Sequence, residues 1–282
     1  MKFRIILYAN KEGTISKVDI EPHNFISDLL NNIHLELNKP IIPSVNQNPG
    51  DFNIDEEDED NNNNNKKEEE IDESNEMAVI SNVIKTFSEK YRSKISDLFY
   101  FLLKTETECP ECQTILKYMG DIYLMCALSP ARAALYLNKK DLNINDLFKH
   151  HRKKRLFIDQ NINCPKCGKI QKSANITNIL YTSPLNLILS VSGEKEDKYN
   201  LIIDEKIDIG EFVQRKDVSN VKYHLVGAIF IEQNEQEGTK YVSITRKENG
   251  GWIYFNGNTI QDCSFSDLAN HKKLQMLFYS NQ

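Results

Sequence analysis

The sequence predicts an α+β fold from three observations. Residues 21–104 hold segments whose apolar residues recur at helical spacing, and the chain beyond about residue 105 holds short runs typical of strands. The helical segments come first and the strands second, whereas a parallel α/β fold alternates the two. With 282 residues, the chain is long enough to bury a sizeable core.

The first helix is predicted within EPHNFISDLLNNIHLELNK, residues 21–39. Pro22 suits the first helical turn, where the N–H that proline lacks would have no intrahelical partner. An apolar stripe recurs every four residues, at Phe25, Leu29, Ile33 and Leu37.

The apolar stretch before this helix, Arg4–Ala9, is predicted to be a β-strand. It is shorter than the core of a signal peptide, which has about 7–15 residues. No apolar run approaches the roughly 18–20 residues that cross a bilayer. We therefore expect an intracellular protein of the cytoplasm or nucleus, with no membrane partner.

Residues 43–76 are predicted to be a disordered acidic insert. Thirteen Asp and Glu residues lie within 51–76 against two lysines, and Asn61–Asn65 is a homopolymer. Such a segment buries too little apolar surface to offset the entropy lost on ordering. Because this insert carries more negative charge than the net −6 of the whole chain, the acidity says little about the partners of the folded part.

After the insert, Met77–Lys104 is predicted to form a helix followed by a short strand. The later strand-like runs are interrupted by one small helix at 144–151, INDLFKHH. The runs predicted to be strands are ILKYM, IYLMCAL, NLILSV, NLIID, YHLVGAIFI, KYVSIT, WIYF and LQMLFY.

Four of the six cysteines form two identical CxxC knuckles, Cys109–Cys112 and Cys164–Cys167. Two such turns supply four thiolates, which is the ligand set of a structural tetrahedral Zn²⁺ site. Disulfides are the poorer alternative in an intracellular chain. We predict one structural Zn²⁺ per chain, bound by these four residues. Cys126 is predicted to lie in the core, and Cys263, in a predicted turn, receives no role.

The 51 residues between the knuckles exceed the roughly 15–20 of an isolated zinc ribbon. The knuckles are therefore expected to join the ends of an elongated β-subdomain. A zinc-ribbon nucleic-acid binder is the alternative, with the basic run HHRKKR (150–155) meeting phosphates. That run is short and lacks interleaved aromatic residues, which disfavours nucleic-acid binding.

The order of motifs resembles the ubiquitin-specific proteases, the papain-like ubiquitin carboxyl-terminal hydrolases. The matching segments are EPHNFISDLLNNIHLELN, ISDLFYFLLKTETECPEC, NINCPKC, TSPLNLILSVS, YHLVGAIFI, GTKYVSI, WIYFN and LQMLFY. The resemblance implies a papain-like fold with a partial helical thumb in 1–42, a helix and zinc-clipped fingers in 77–174, and a β-rich palm in 175–282. It also implies ubiquitin or a ubiquitinated protein as partner.

The chain departs from the family at the catalytic positions. The family nucleophile precedes the first matching helix, and this sequence has no cysteine before Cys109. The position of the general base holds Lys240, whose ammonium stays protonated at neutral pH, whereas an imidazole can take a thiol proton. Asn256 falls on the position that orients this imidazole, so no catalytic set is intact. A buried Asn capping a turn is the preferred interpretation of Asn256.

Three further family positions also differ. Ile231 stands for a histidine of the preceding strand, Gly257 for a polar residue after Asn256, and Ser192–Gly193 for an Arg-Phe pair. These differences predict a catalytically inactive domain that binds ubiquitin or scaffolds a larger complex. The alternative is a cysteine-type deubiquitinase whose nucleophile-bearing half lies outside this reading frame or on another polypeptide.

Overall fold

The computed structural model describes residues 21–38, 72–191, 199–218, 221–234, 238–257, 259–266 and 273–281. Its helices include α1 (Pro22–Leu37), α2 (Glu76–Tyr91), α3 (Lys94–Phe99), α4 (Pro130–Leu137) and α5 (Ile144–His151). The first strands are β1 (Phe101–Glu108), β2 (Ile115–Tyr123), β3 (Cys126–Leu128), β4 (Asp141–Leu142), β5 (Arg155–Asn163), β6 (Ile170–Leu180) and β7 (Asn186–Val191). The later ones are β8 (Asn200–Leu201), β9 (Lys206–Asp208), β10 (Lys222–Asn234), β11 (Gly238–Arg246), β12 (Trp252–Asn256), β13 (Thr259–Cys263) and β14 (Leu274–Ser280).

Two hairpins form a four-stranded antiparallel sheet, which we call the finger sheet. Its order is β2-β1-β6-β5, so the hairpins β1–β2 and β5–β6 meet along β1 and β6. Leu103 lies opposite Leu180 in that pairing. Because both hairpin turns lie at the same end of the sheet, the two CxxC segments come together there.

A larger sheet, the palm sheet, has the order β13-β12-β11-β10-β14-β7-β3, with β9 also paired to β10. Only the short β3 runs parallel to its neighbour β7. The central strands bury one face almost completely, as Phe230, Val242 and Leu277 show with at most 1% exposure. This face is the floor of the main core.

Helices α4 and α5 pack into the same core through Ala133, Leu147 and Phe148. The root of the finger sheet enters it as well, through Phe101 and Leu103. The finger sheet is therefore anchored in the palm core at one end, while its knuckle end projects away.

Helix α2 packs across the opposite face of the finger sheet. Ile80 is buried against Leu102, and an added Cβ at Gly120 would lie 3.2 Å from the Ile80 and Val83 side chains. Lys104 is buried on the same face, with Nζ 3.1 Å from Glu76 Oε1. The absence of a side chain at Gly120 is what lets the helix approach the strand this closely.

Helix α1 lies against the junction of α2 and α3. His34 Nδ1 is 2.6 Å from Ser93 Oγ, and the Tyr100 hydroxyl donates to Asn31 Oδ1 at 3.0 Å. Ser93 also caps α3, because its hydroxyl accepts from the Ile95 and Ser96 amides. One buried and one exposed polar contact therefore hold residues 21–38, the described part of the predicted thumb segment 1–42.

The structure differs from the sequence prediction at three boundaries. The insert was predicted to extend to residue 76, but the described structure resumes at residue 72. Residues 72–75 form a turn, α2 begins at Glu76, and Glu73 pairs with Lys117 at 2.8 Å. The predicted helix in Met77–Lys104 breaks at Arg92–Ser93 into α2 and α3. The residues of β3, α4 and α5 fall in the segment 77–174 that was predicted to form the fingers, but these elements belong to the palm core.

Other predictions lie outside the described residues: the strand Arg4–Ala9, most of the insert, and Ser192–Gly193. None of the described helices is long and apolar enough to cross a membrane. The helices predicted at 21–39 and 144–151 are confirmed, with Pro22 at the start of α1.

Candidate metal centre and candidate catalytic position

The two knuckles have the same backbone geometry. In the first, the Cys109 amide donates to the Thr114 carbonyl at 2.9 Å and the Gln113 amide donates to the Cys109 carbonyl at 2.9 Å. In the second, the Cys164 amide donates to the Lys169 carbonyl at 3.0 Å and the Gly168 amide to the Cys164 carbonyl at 2.9 Å. This repeated turn points both thiols of each CxxC to one side.

All four predicted ligand sulfurs are brought together. They lie within 4.8 Å of one another, with 3.5 Å between Cys112 Sγ and Cys164 Sγ and 3.9 Å between Cys109 Sγ and Cys167 Sγ. Tetrahedral Zn–S bonds of about 2.3 Å require sulfurs about 3.8 Å apart. Cys109 and Cys164 are fully buried and the other two partly so. The cluster therefore has the ligand type, number and spacing of a structural zinc site.

Local hydrogen bonds already favour a thiolate here. The Thr114 hydroxyl and amide hydrogen-bond to Cys112 and lower its pKa to about 6. The hydrogen bond from the Cys167 amide acts the same way on Cys164, but burial and the nearby Cys112 sulfur outweigh it and raise that pKa to about 11. The pair thus loses one proton readily, and a bound Zn²⁺ would hold both sulfurs deprotonated.

Two ion pairs lie outside the cysteine cluster, and one of them joins the two knuckles. Lys169 Nζ lies 2.7 Å from Glu111 Oε2, so a residue just after the second knuckle binds a residue inside the first. Lys154 Nζ, just before β5, lies 2.7 Å from Glu108 Oε2 at the end of β1. Lys169 also brings positive charge near Cys109 and Cys167.

The position that resembles the family base lies on β11. Lys240 is exposed and stands directly opposite Glu232 of β10. The Tyr254 hydroxyl donates to Glu232 Oε1 at 2.8 Å, and Asn256 Nδ2 lies 3.5 Å from Glu232 Oε2 and 3.4 Å from the Tyr254 hydroxyl. We call Glu232, Lys240, Tyr254 and Asn256 the Glu232 cluster.

The structure corrects the interpretation of Asn256 as a turn cap. Its amide reaches across the palm sheet to a carboxylate and a phenol, while Gly257 makes the turn with φ +57°. Burial and the adjacent Glu232 raise the pKa of Tyr254 to about 12, so this phenol remains a donor at neutral pH. The cluster holds an ammonium, a protonated phenol, an amide and a carboxylate, and no imidazole.

The remaining cysteines lie away from this cluster. Cys126 is 3% exposed, as predicted for a core residue, and burial raises its thiol pKa to about 12. Cys263 ends β13 instead of lying in a turn, and stands opposite Trp252. That register places Cys263 four residues along the strand from Asn256, roughly 13 Å away.

Glu232 and Tyr254 were not predicted from the sequence as site residues. Both residues lie on the same sheet face as Asn256, because Glu232 pairs with Lys240 and Tyr254 lies two residues before Asn256. The alternation of WIYFN could have placed Tyr254 beside Asn256. Nothing in the sequence indicates that Glu232, two strands away, reaches them.

Known proteins of similar sequence or structure agree with this fold. The family model described as ubiquitin carboxyl-terminal hydrolase matches residues 16–279. A search of curated proteins finds no match.

Among solved structures, the chain is similar to the SAGA DUB module of Ubp8, Sgf11, Sus1 and Sgf73 bound to monoubiquitin, with 18% identity, a TM-score of 0.54 and coverage of 71% of this chain and 46% of that chain. It is similar to a yeast SAGA DUB module carrying an Sgf73 mutant, with 18% identity, a TM-score of 0.56 and coverage of 71% and 44%. It is also similar to the module bound to ubiquitin aldehyde, with 20% identity, a TM-score of 0.54 and coverage of 72% and 47%.

The chain spans less than half the length of these structures, and their low identity shows a shared fold only. The family match covers nearly the whole sequence, and the finger sheet, the palm sheet and the cysteine cluster agree with it. The chain therefore belongs to the ubiquitin carboxyl-terminal hydrolase family.

Proposed function

We propose that this chain is a catalytically inactive member of its family that acts by binding ubiquitin. The observation that carries the proposal is the Glu232 cluster, in which Lys240 stands at the position that resembles the general base and Asn256 binds Glu232 and Tyr254. A protonated ammonium cannot accept the thiol proton, and loss of triad members lowers rates by several orders of magnitude. What is left is the binding surface.

Exposed apolar side chains on the finger sheet support a binding role. Met119, Tyr123 and Phe157 are 44%, 41% and 51% exposed. Strand register places them on the face opposite α2. Aromatic residues and Met are enriched at protein interfaces. The proposal includes one structural Zn²⁺ holding the finger tips, and a reducing cell interior, cytoplasm or nucleus, where these thiols persist.

A reactive probe tests the absence of catalysis. Ubiquitin carrying a thiol-reactive C-terminal group should form no adduct with the zinc-loaded chain, while an active family member forms one in parallel. A covalent band whose attachment site maps to this chain would overturn the inactive assignment.

Titration of ¹⁵N-labelled ubiquitin tests the binding function. We expect saturable chemical-shift changes, weakened by Phe157→Asp. Leu156→Asp is the matched control, because Leu156 is also exposed (60%) but lies on the other face of the same strand. Absence of shifts would contradict ubiquitin binding and leave scaffolding of a larger complex as the role.

A deubiquitinase completed by a second segment is the other candidate function. The chain covers less than half of the matched structures, which leaves room for a nucleophile on additional polypeptide. Lys240 weighs against this candidate, because an added segment does not restore the histidine. Adduct formation by a longer gene product, with none by its Lys240→Ala variant, would favour it.

A further inference from the structure

A cavity of about 620 Å³ lies where the root of the finger sheet meets the palm. Its apolar lining includes Phe101, Leu103 and Leu128, which are 2–9% exposed and belong to the main core. A volume of roughly 300–1,000 Å³ with an apolar lining and a few polar groups is typical of small-ligand sites.

The cavity lining contains basic side chains. Four of them line the cavity: Arg132 on α4, His150 and His151 at the end of α5, and Arg155 at the start of β5. Among the described residues, the lining includes no Asp or Glu. Arg155 Nη2 donates to the His151 carbonyl at 3.3 Å. Within the part of the chain that the structure describes, neither guanidinium lies within ion-pair distance of a carboxylate.

Both imidazoles have lowered pKa values, mainly because they are buried and partly because cations lie nearby. Burial, followed by the charge of Arg155, lowers the pKa of His151 to about 4. Burial lowers the pKa of His150 too, and Arg155, Lys153 and Arg132 lower it further. The two cations of the lining are Arg132 and Arg155, which are both exposed; no carboxylate occurs among the described residues of the lining, and an anion would balance their charge.

We propose that this cavity binds a phosphate monoester attached to an apolar or aromatic body, with Arg132 and Arg155 contacting the phosphoryl group. Guanidinium groups bind phosphate oxygens in bidentate fashion. A phosphate dianion neutralises two cations, whereas a carboxylate carries only one negative charge. The apolar body would cover Phe101 and Leu103. The phosphate proposal does not rest on ubiquitin binding, although Tyr123 of the proposed ubiquitin-binding face also lines the cavity.

The site is tested by isothermal titration of the zinc-loaded full chain with phenyl phosphate. Arg132→Gln and Arg155→Gln should each weaken binding by about tenfold or more, since a hydrogen bond to a charged group contributes about 1.5–3 kcal/mol. Lys172→Gln, which removes an exposed cation from β6 of the same sheet, is the charge-matched control and should change the affinity less than about twofold.

A second variant tests the cavity without altering charge. Ala131→Trp, on the lining of the first turn of α4, should fill the space and abolish binding. Emission of the single Trp252 in the two Arg variants, and amide spectra in all of them, would show that each protein is folded. Methyl phosphate and benzoate should bind more weakly than phenyl phosphate, because one lacks the apolar body and the other the second charge.

Two further titrations separate the sources of such a group. Adenosine monophosphate represents a free metabolite and a phosphotyrosine peptide represents a modified protein; tighter binding of either supports the site and names its source. No heat with phenyl phosphate, or equal losses in Arg155→Gln and Lys172→Gln, would overturn the proposal.

Discussion

At the scale of single residues, the two knuckles share one backbone conformation but place different residues, Gln113 and Gly168, at the equivalent position. Gln113 and Gly168 both follow the second cysteine directly and both have left-handed backbone, with φ of 57° and 67°. Glycine adopts this conformation without cost, whereas a residue with a Cβ is strained by about 1 kcal/mol.

Gln113→Gly should therefore stabilise the zinc-loaded protein by about 1 kcal/mol, because the substitution relieves left-handed strain. Gly168→Gln should destabilise it by a similar amount, since an added Cβ there meets no atom within 4 Å and only strain changes. Chemical denaturation measures both. Equal effects of the same sign would contradict this account.

The buried His151 predicts a pH dependence of stability. Its folded-state pKa of about 4 lies below the ordinary 6.5, so the unfolded chain binds more protons between these values and stability is lost as the pH falls through that window. His151→Gln should reduce this loss by an amount on the order of 2 kcal/mol at pH 4.5. His23→Gln, on α1, is the control, and an unchanged slope in His151→Gln would contradict the prediction.

At the scale of elements, each half of the zinc cluster belongs to one hairpin. Because β1 pairs with β6, the hairpins are held together along their strands, whereas their tips meet through the four sulfurs and the Lys169–Glu111 pair. Metal binding should consequently order the tips more than the finger root, which shares the palm core.

Chelation of zinc should raise amide hydrogen exchange at 109–114 and 164–169, with little change in β10 and β14 of the palm sheet. Cys164→Ser should lower the metal content from about one zinc per chain to well below one, because three thiolates remain. Cys126→Ala keeps all four ligands and should retain the metal. A folded wild-type chain with unprotected tips and no bound metal would refute the site.

Some of the helices were predicted from the sequence and others were not. Regular apolar spacing and Pro22 predicted α1, and the INDLFKHH pattern predicted α5. Helix α4 was not predicted, although Ser129, whose hydroxyl accepts from the Arg132 amide, and Pro130 are typical of a helix start. Its sequence, PARAALYL, is apolar at nearly every position, so no polar face marks a helical repeat.

At the scale of the whole molecule, catalysis in this family requires groups from separate elements to meet at one point. We propose that in this chain that point is the Glu232 cluster, with Lys240 from β11, Glu232 from β10 and Asn256 from β12. The carboxylate already accepts a hydrogen bond from Tyr254. A single reversion therefore restores one group of several.

Lys240→His should not produce an adduct with the reactive ubiquitin probe, because no described cysteine lies beside the new imidazole. Cys126 is buried, Cys263 is at the other end of the β12–β13 hairpin, and the other four cysteines cluster at the finger tips as the candidate zinc ligands. Intact-mass analysis measures this outcome. An adduct on Cys263 would show that the hairpin brings its thiol to the palm site.

The sequence by itself predicted the family, the α+β order of elements and the four cysteines that cluster, and it suggested the proposed replacement at Lys240, because these depend on residue type and local spacing. Only the tertiary structure decided which strands pair across the 51-residue gap, that α4 and α5 join the palm, and that Asn256 binds Glu232. The cationic cavity likewise depends on four residues from three elements. Such contacts arise from packing between distant segments, and no local pattern in the chain encodes them.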